Sequence, residues 1–198
     1  KHAIMQTPET ISSEAALADA IALISKEHKY LRQGVAFEQL AALIAPLERA
    51  QRIFLMGMGR SGFMMHALGM RLMHLGFNVH MVGETTAPAI TKGDVLLAGS
   101  GSGSTTSIVN AAKTAKREGA AVLCFTSNME SLLADLADVV VVLPAAQKNR
   151  QEAEVSQQYA GSLFEQALLL YGDALIQLLW NKGGKTADQL WQRHANLE

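Results

Sequence analysis

Two short stretches of this chain set glycines and hydroxyls where an anion can be held. The first is Gly57-Met58-Gly59-Arg60-Ser61-Gly62 and the second is Ser100-Gly101-Ser102-Gly103-Ser104-Thr105. Each follows an apolar run and precedes a helical pattern, so each falls at a strand-to-helix joint. Glycines there allow tight turns, and a helix start offers unpaired N–H groups and the positive end of a dipole. The second loop adds the hydroxyls of Ser100, Ser102, Ser104 and Thr105. The expected phosphate ligands are Ser61, Ser100, Ser102, Ser104 and Thr105, with Gly59 supplying backbone. Arg60 is expected to pair with phosphate or substrate hydroxyls, and Thr85, with Thr86, to rim the site. The plain alternatives are a flexible linker for the Gly/Ser runs and a loop-tip surface charge for Arg60. A linker does not usually sit at a strand-to-helix joint inside a sheet.

The first loop also spells the dinucleotide fingerprint G-x-G-x-x-G, and Glu84 lies near where a ribose-binding acid would stand. The second loop has no role in that fingerprint, and the chain leaves little room for a catalytic region beside it. Lys92 and Lys113 are misplaced for a P-loop lysine.

The surrounding elements follow from periodicity and breakers. Ser12 and Ser13 precede a helical pattern that Gly34 breaks, and a second helix is expected over 37–50 with a possible kink at Pro46. Short apolar strands are expected at 52–56, 78–82, 94–98, 120–125 and 139–143. Helices are expected at 64–75, 106–118, 130–136, 162–181 and 186–195, with 147–158 as the best candidate for a mobile loop. Continuous rather than alternating apolar strands argue for a parallel sheet covered on both faces. The predicted fold class is α/β, a single three-layer αβα domain with a five-stranded parallel sheet. Its parts are an N-terminal helical hairpin (1–50), a sheet core (51–145) and C-terminal helices (159–198). If the strand order is 2-1-3-4-5, both loops line the crevice at the topological switch point.

Bulk numbers bound the rest. At 198 residues, 49% hydrophobic and 18% charged, the chain can bury one sizeable core. A net charge of −1 argues against a nucleic-acid partner. The lone Cys124 rules out an intrachain disulfide and reads as a small buried hydrophobe, which suits the reducing cytoplasm. The most apolar stretch, 163–180, carries Glu165 and Asp173, so no membrane span is expected. No signal-peptide pattern opens the chain.

The loop pair resembles the SIS (sugar isomerase) domain family, whose second loop typically reads Ser-x-Ser-Gly-x-Thr. Within it the chain is most similar to the 6-phospho-3-hexuloisomerase group. That resemblance rests on both loops, on Val82-Gly83-Glu84-Thr85-Thr86-Ala87-Pro88-Ala89-Ile90, on Gly161-Ser162-Leu163-Phe164-Glu165, and on Arg193-His194-Ala195-Asn196-Leu197-Glu198. Two positions depart from the pattern. Ser104 stands where a glutamate is usual, which removes a charge beside the crevice, and Ser162 stands where a threonine is usual. The resemblance implies a homo-oligomer, a tetramer with sites at subunit interfaces, and no metal or organic cofactor. It implies interconversion of 3-hexulose 6-phosphate and fructose 6-phosphate, after aldol fixation of formaldehyde onto ribulose 5-phosphate.

Moving a carbonyl from C3 to C2 requires a proton to leave one carbon and return to its neighbour through a cis-enediolate. One base in the right plane can do both transfers. Glu165 is the expected base: beside Leu163 and Phe164, its pKa can rise towards neutrality. Glu165, Gln166, Asp173, Gln177 and Asn181 also fall on one polar stripe, so solvation at the stripe's edge is the alternative. His194, raised only by the tail resemblance, is expected to open the sugar ring or shuttle protons from a neighbouring subunit. His28 is a weaker candidate of that kind. His66, His74 and His80 show no ligand pattern, so no metal is expected. Two other functions stay open: isomerisation of another phosphosugar, and phosphosugar sensing without turnover.

Overall fold

The computed structural model describes residues 12–145 and 156–197. The strands are β1 (Ile53–Gly57), β2 (Val79–Met81), β3 (Val95–Gly99), β4 (Ala121–Thr126) and β5 (Val139–Val142). All pair in parallel in the order β2-β1-β3-β4-β5, so the expected topology and switch point between β1 and β3 are found. Each residue of the central β3 is buried, which is why its run is apolar without alternation.

Helices cover both faces. Helices α1 (Ser13–Gly34), α2 (Phe37–Ala42), α3 (Ile44–Arg49), α4 (Gly59–Leu75) and α7 (Ser162–Gly183) lie on one side. There Leu31, Leu40, Leu47, Leu72 and Leu168 join Leu55, Leu97 and Phe125 of the sheet in one core. Helices α5 (Thr106–Arg117) and α6 (Leu132–Leu136) cover the other side, where Ile108, Ala112 and Leu133 pack on Phe54, Leu96 and Cys124. A short α8 (Ala187–Trp191) follows α7.

Several boundaries differ from the sequence expectation. The helix expected over 37–50 is two helices meeting at Leu43, because Pro46 has no N–H to return to the carbonyl of residue 42. The helix expected from 64 begins five residues earlier, at Gly59, so Arg60, Ser61 and Gly62 form its first turn rather than a loop. The final helix expected over 186–195 is confined to Ala187–Trp191, capped reciprocally by Thr186 and Gln189. The stretch expected to be mobile, 147–158, lies outside the described residues except for 156–158.

Candidate active site

Three long helices aim their N-termini at the crevice between β1 and β3. They are α4, α5 and α7, and among the described residues none of them has a side-chain cap. Helices α1, α6 and α8 do, through Ser12, Ser131 and Thr186. Uncapped N–H groups and converging dipoles are what an anion needs.

Two close approaches bring these ends together. At the start of α4, Gly59 takes a left-handed φ of +58°. A Cβ on Gly62 would stand 2.9 Å from the Gly57 carbonyl oxygen, so only glycine lets the helix start that near its strand. On the other wall, a Cβ on Gly101 would stand 3.2 Å from the Phe164 ring. The Gly-Ser loop therefore lies directly on the first turn of α7.

The resulting cleft holds about 310 Å³. Ser61, Ser100, Ser102, Ser104 and Thr105 line it, as do Thr106, Met58, Gly161 and Phe164. Ser100 Oγ lies 3.3 Å from Thr105 Oγ1, and Ser102 Oγ accepts from the Ser104 hydroxyl at 3.1 Å and amide at 3.3 Å. Gly101 is fixed from behind: its carbonyl accepts from Ser127 Oγ at 2.8 Å and Thr126 Oγ1 at 3.1 Å. The cradle is thus neutral, built of hydroxyls and helix ends.

Charge lies beside it. Glu165 is only 3% exposed, and Arg60 Nη1 donates to its Oε2 at 3.0 Å and to Ser162 Oγ at 3.1 Å. The stripe reading of Glu165 is corrected here: the α7 N-terminal turns are buried on most sides, with Leu163, Phe164, Ala167 and Leu168 all inside, so periodicity did not reveal the exposed face. Arg60, expected to reach phosphate, points instead to Glu165 across the α4–α7 contact. Gly59, Arg60 and Glu165 are not among the residues lining the cleft, although Phe164, next to Glu165, is.

Other expected residues lie elsewhere. Thr85 is exposed in the β2–β3 connection and does not line the cleft. It adjoins a separate apolar hollow formed by Phe54, Val82, Pro88 and Leu96. His194 lies at the C-terminal end of α4, stacked between His74 (centroids 4.0 Å) and Trp191 (4.4 Å). The length of α4, about 25 Å for its residues, separates that end from the cleft of the same subunit. His28 Nε2 lies 3.0 Å from Gln166 Oε1, one residue past Glu165. Burial pushes the Cys124 thiol up to about 12, which makes it an inert core residue. Among the described residues no helix is long and apolar enough to cross a membrane, and no cluster of His, Cys, Asp and Glu could hold a metal.

Sequence reasoning did not single out Met58, Gly161 or Phe164 as cleft residues. The signal for Gly161 and Phe164 was their adjacency to Glu165 at a helix start.

Comparison with known proteins bears on this arrangement. The SIS domain model matches residues 46–169. A 3-hexulose-6-phosphate isomerase of Mycobacterium gastri is 50% identical over 161 residues, covering 81% of this chain and 81% of that protein. A protein of the same name from Bacillus subtilis is 39% identical over 165 residues, covering 83% of this chain and 89% of its own. A crystal structure from Methanococcus jannaschii, described as inferring a function of 3-hexulose-6-phosphate isomerase, superposes with a TM-score of 0.78 at 29% identity. It covers 91% of this chain and 99% of that one. With loops, sheet order and helix ends arranged as described, this chain belongs to the SIS domain family.

Proposed function

We propose that this chain is a phosphosugar isomerase that interconverts 3-hexulose 6-phosphate and fructose 6-phosphate, with Glu165 as the proton-transfer base. The observation that carries the reading is a neutral hydroxyl cradle where three uncapped helix ends converge, with the buried carboxylate of Glu165 next in the chain to Phe164, which lines that cleft. The names of the Mycobacterium gastri and Bacillus subtilis relatives support the choice of substrate.

The phosphate sits against the hydroxyls of Ser100, Ser102, Ser104 and Thr105 and the N-terminus of α5. That leaves the sugar carbons extending towards α7, where Glu165 moves one proton between C3 and C2. Arg60, bound to Glu165 and Ser162, orients the carboxylate and offers positive charge to the developing enediolate oxygens. Ser104 adds a donor where a carboxylate would repel the phosphate. His194 serves a site on a neighbouring subunit, since its own is a helix length away. A tetramer fits the exposed apolar face of α4, where Phe63 is 70% exposed and Met70 48%. The free, buried Cys124 accords with a cytoplasmic home.

The test is Glu165→Gln. It should remove turnover by about 10³-fold or more while leaving phosphosugar binding by calorimetry within a few-fold. Retained turnover would take Glu165 out of the mechanism.

A further inference from the structure

The SIS model begins at residue 46, after α1, yet α1 reaches the N-terminal turns of α7, where His28 Nε2 meets Gln166 Oε1. Glu27 of α1 is 8% exposed and carries a buried carboxylate. Its Oε1 accepts from the Gln157 amide at 2.7 Å, and its Oε2 accepts from Ser156 Oγ at 2.7 Å and Gln158 Nε2 at 2.8 Å. Gln158 Oε1 in turn accepts from Gln166 Nε2 at 2.8 Å, and Gln166 Oε1 lies 3.0 Å from His28 Nε2. Burial pushes the Glu27 carboxyl up, but the donors from Gln158, Gln157 and Ser156 outweigh it and hold the group below the usual glutamate value.

The strap so gripped leads straight into the cleft. Tyr159 and Ala160 separate Gln158 from Gly161, which lines the cleft and ends in the carbonyl that accepts the Glu165 amide at 3.1 Å. Ala160 has a φ of +51°, in the left-handed region that a side chain with a Cβ rarely adopts. A residue held there persists only when its surroundings over-determine it. One anchor is Glu27. The other is Ser162, whose Oγ donates to the Tyr159 carbonyl at 2.8 Å and accepts from Arg60.

We infer that Glu27 is a positioning residue for the isomerase reaction: it clamps the strained strap before α7 and so sets the first turn of that helix, and with it Glu165, against the cradle. This inference rests on the proposed function of the same cleft. It assigns α1, outside the family's matched core, a part in turnover rather than only in packing.

The test compares wild type with Glu27→Ala and, from the strap side, Gln158→Ala, whose half-buried side chain lies outside the hydrophobic core. Three quantities are read: kcat for 3-hexulose 6-phosphate, Kd for inorganic phosphate, and amide exchange at Gln157 and Glu165. The expected result for Glu27→Ala is a fall in kcat of about tenfold with phosphate affinity within twofold, because the hydroxyls of Ser100, Ser102 and Thr105 belong to the β3–α5 connection and not to the strap. Exchange at both amides should speed up, and Gln158→Ala should show the same pattern more weakly. Unchanged exchange and kcat in both variants would overturn the clamp, as would an equal loss of kcat and phosphate affinity, which a general loss of folded protein would give. If wild type itself shows no turnover, the isomerase reading fails, and amide exchange alone still decides whether Glu27 holds the strap.

Discussion

The two ends of α4 treat the same physical problem differently. At its C-terminal end the unpaired carbonyls are answered from within the chain. Gly76 closes the helix with a left-handed φ of +101°, and Lys185 Nζ donates to the Leu75 carbonyl at 2.5 Å. His74 and His194 stack there, and their buried Nδ1 atoms find no hydrogen-bond partner among the described residues. At its N-terminal end no side chain caps the helix, and the free N–H groups face hydroxyls and a cleft. The difference separates a finished helix end from one whose N–H groups no side chain caps. A glycine-rich stretch alone does not make that distinction: Gly184-Lys185-Thr186 carries a Gly-Lys-Thr spelling, yet it ends α7 and caps α8.

The sharpest way to break this contrast is through His194. If it belongs only to the finished end, its loss should spare turnover. The proposed role on a neighbouring subunit predicts instead that His194→Ala lowers kcat by about 100-fold. It further predicts that mixing and reassembling His194→Ala with Glu165→Gln subunits restores measurable activity. No recovery on mixing would return His194 to the finished end.

The open end depends on backbone approach, so Gly62→Ala comes next. Its Cβ would collide with the Gly57 carbonyl oxygen and push α4 away from β1. A fall in kcat/KM of about 100-fold is expected from that displacement. Normal kinetics would mean the helix start does not need this contact.

A smaller effect is expected from Ser102→Ala, which removes one neutral donor from the cradle and should weaken inorganic phosphate binding by about fivefold, or roughly 1 kcal/mol. Unchanged affinity in a titration would place the phosphate elsewhere.

The smallest effect concerns the finished end and pH. Burial, then the neighbouring His194 and Arg71, holds the His74 pKa below its usual value. The unfolded chain therefore binds a proton more readily below about pH 6.5, and stability is lost as pH falls through that window. Asp94 adds a separate loss at lower pH. Burial raises its carboxyl, but Arg52 and Thr91 outweigh that and hold it below the carboxylate range. Melting scans between pH 7 and pH 5 should show a shallower slope for His74→Phe than for wild type; an identical slope would clear His74.

Much of the fold was legible in the residues because the central strands β3 and β4 are buried on both faces, which leaves continuous apolar runs such as Val95, Leu96 and Leu97. That the hydroxyls of Ser100, Ser102, Ser104 and Thr105 share one cleft was legible because they are contiguous in the chain. What depends on distant approach was not. The early start of α4 is set by Gly62 against Gly57, and the burial of Glu165 by a helix packed on most of its sides. The Arg60–Glu165 pair joins residues far apart in sequence, and Glu27 reads as an ordinary surface acid until the strap is folded onto it.

The most direct measurement is conversion of enzymatically generated 3-hexulose 6-phosphate to fructose 6-phosphate by the intact chain, followed through coupled NADPH formation with EDTA present. The account predicts rapid conversion that EDTA leaves unchanged. No conversion, with sugar phosphates still raising the melting temperature, would contradict it and mark the cleft as a site for another phosphosugar or for sensing without turnover.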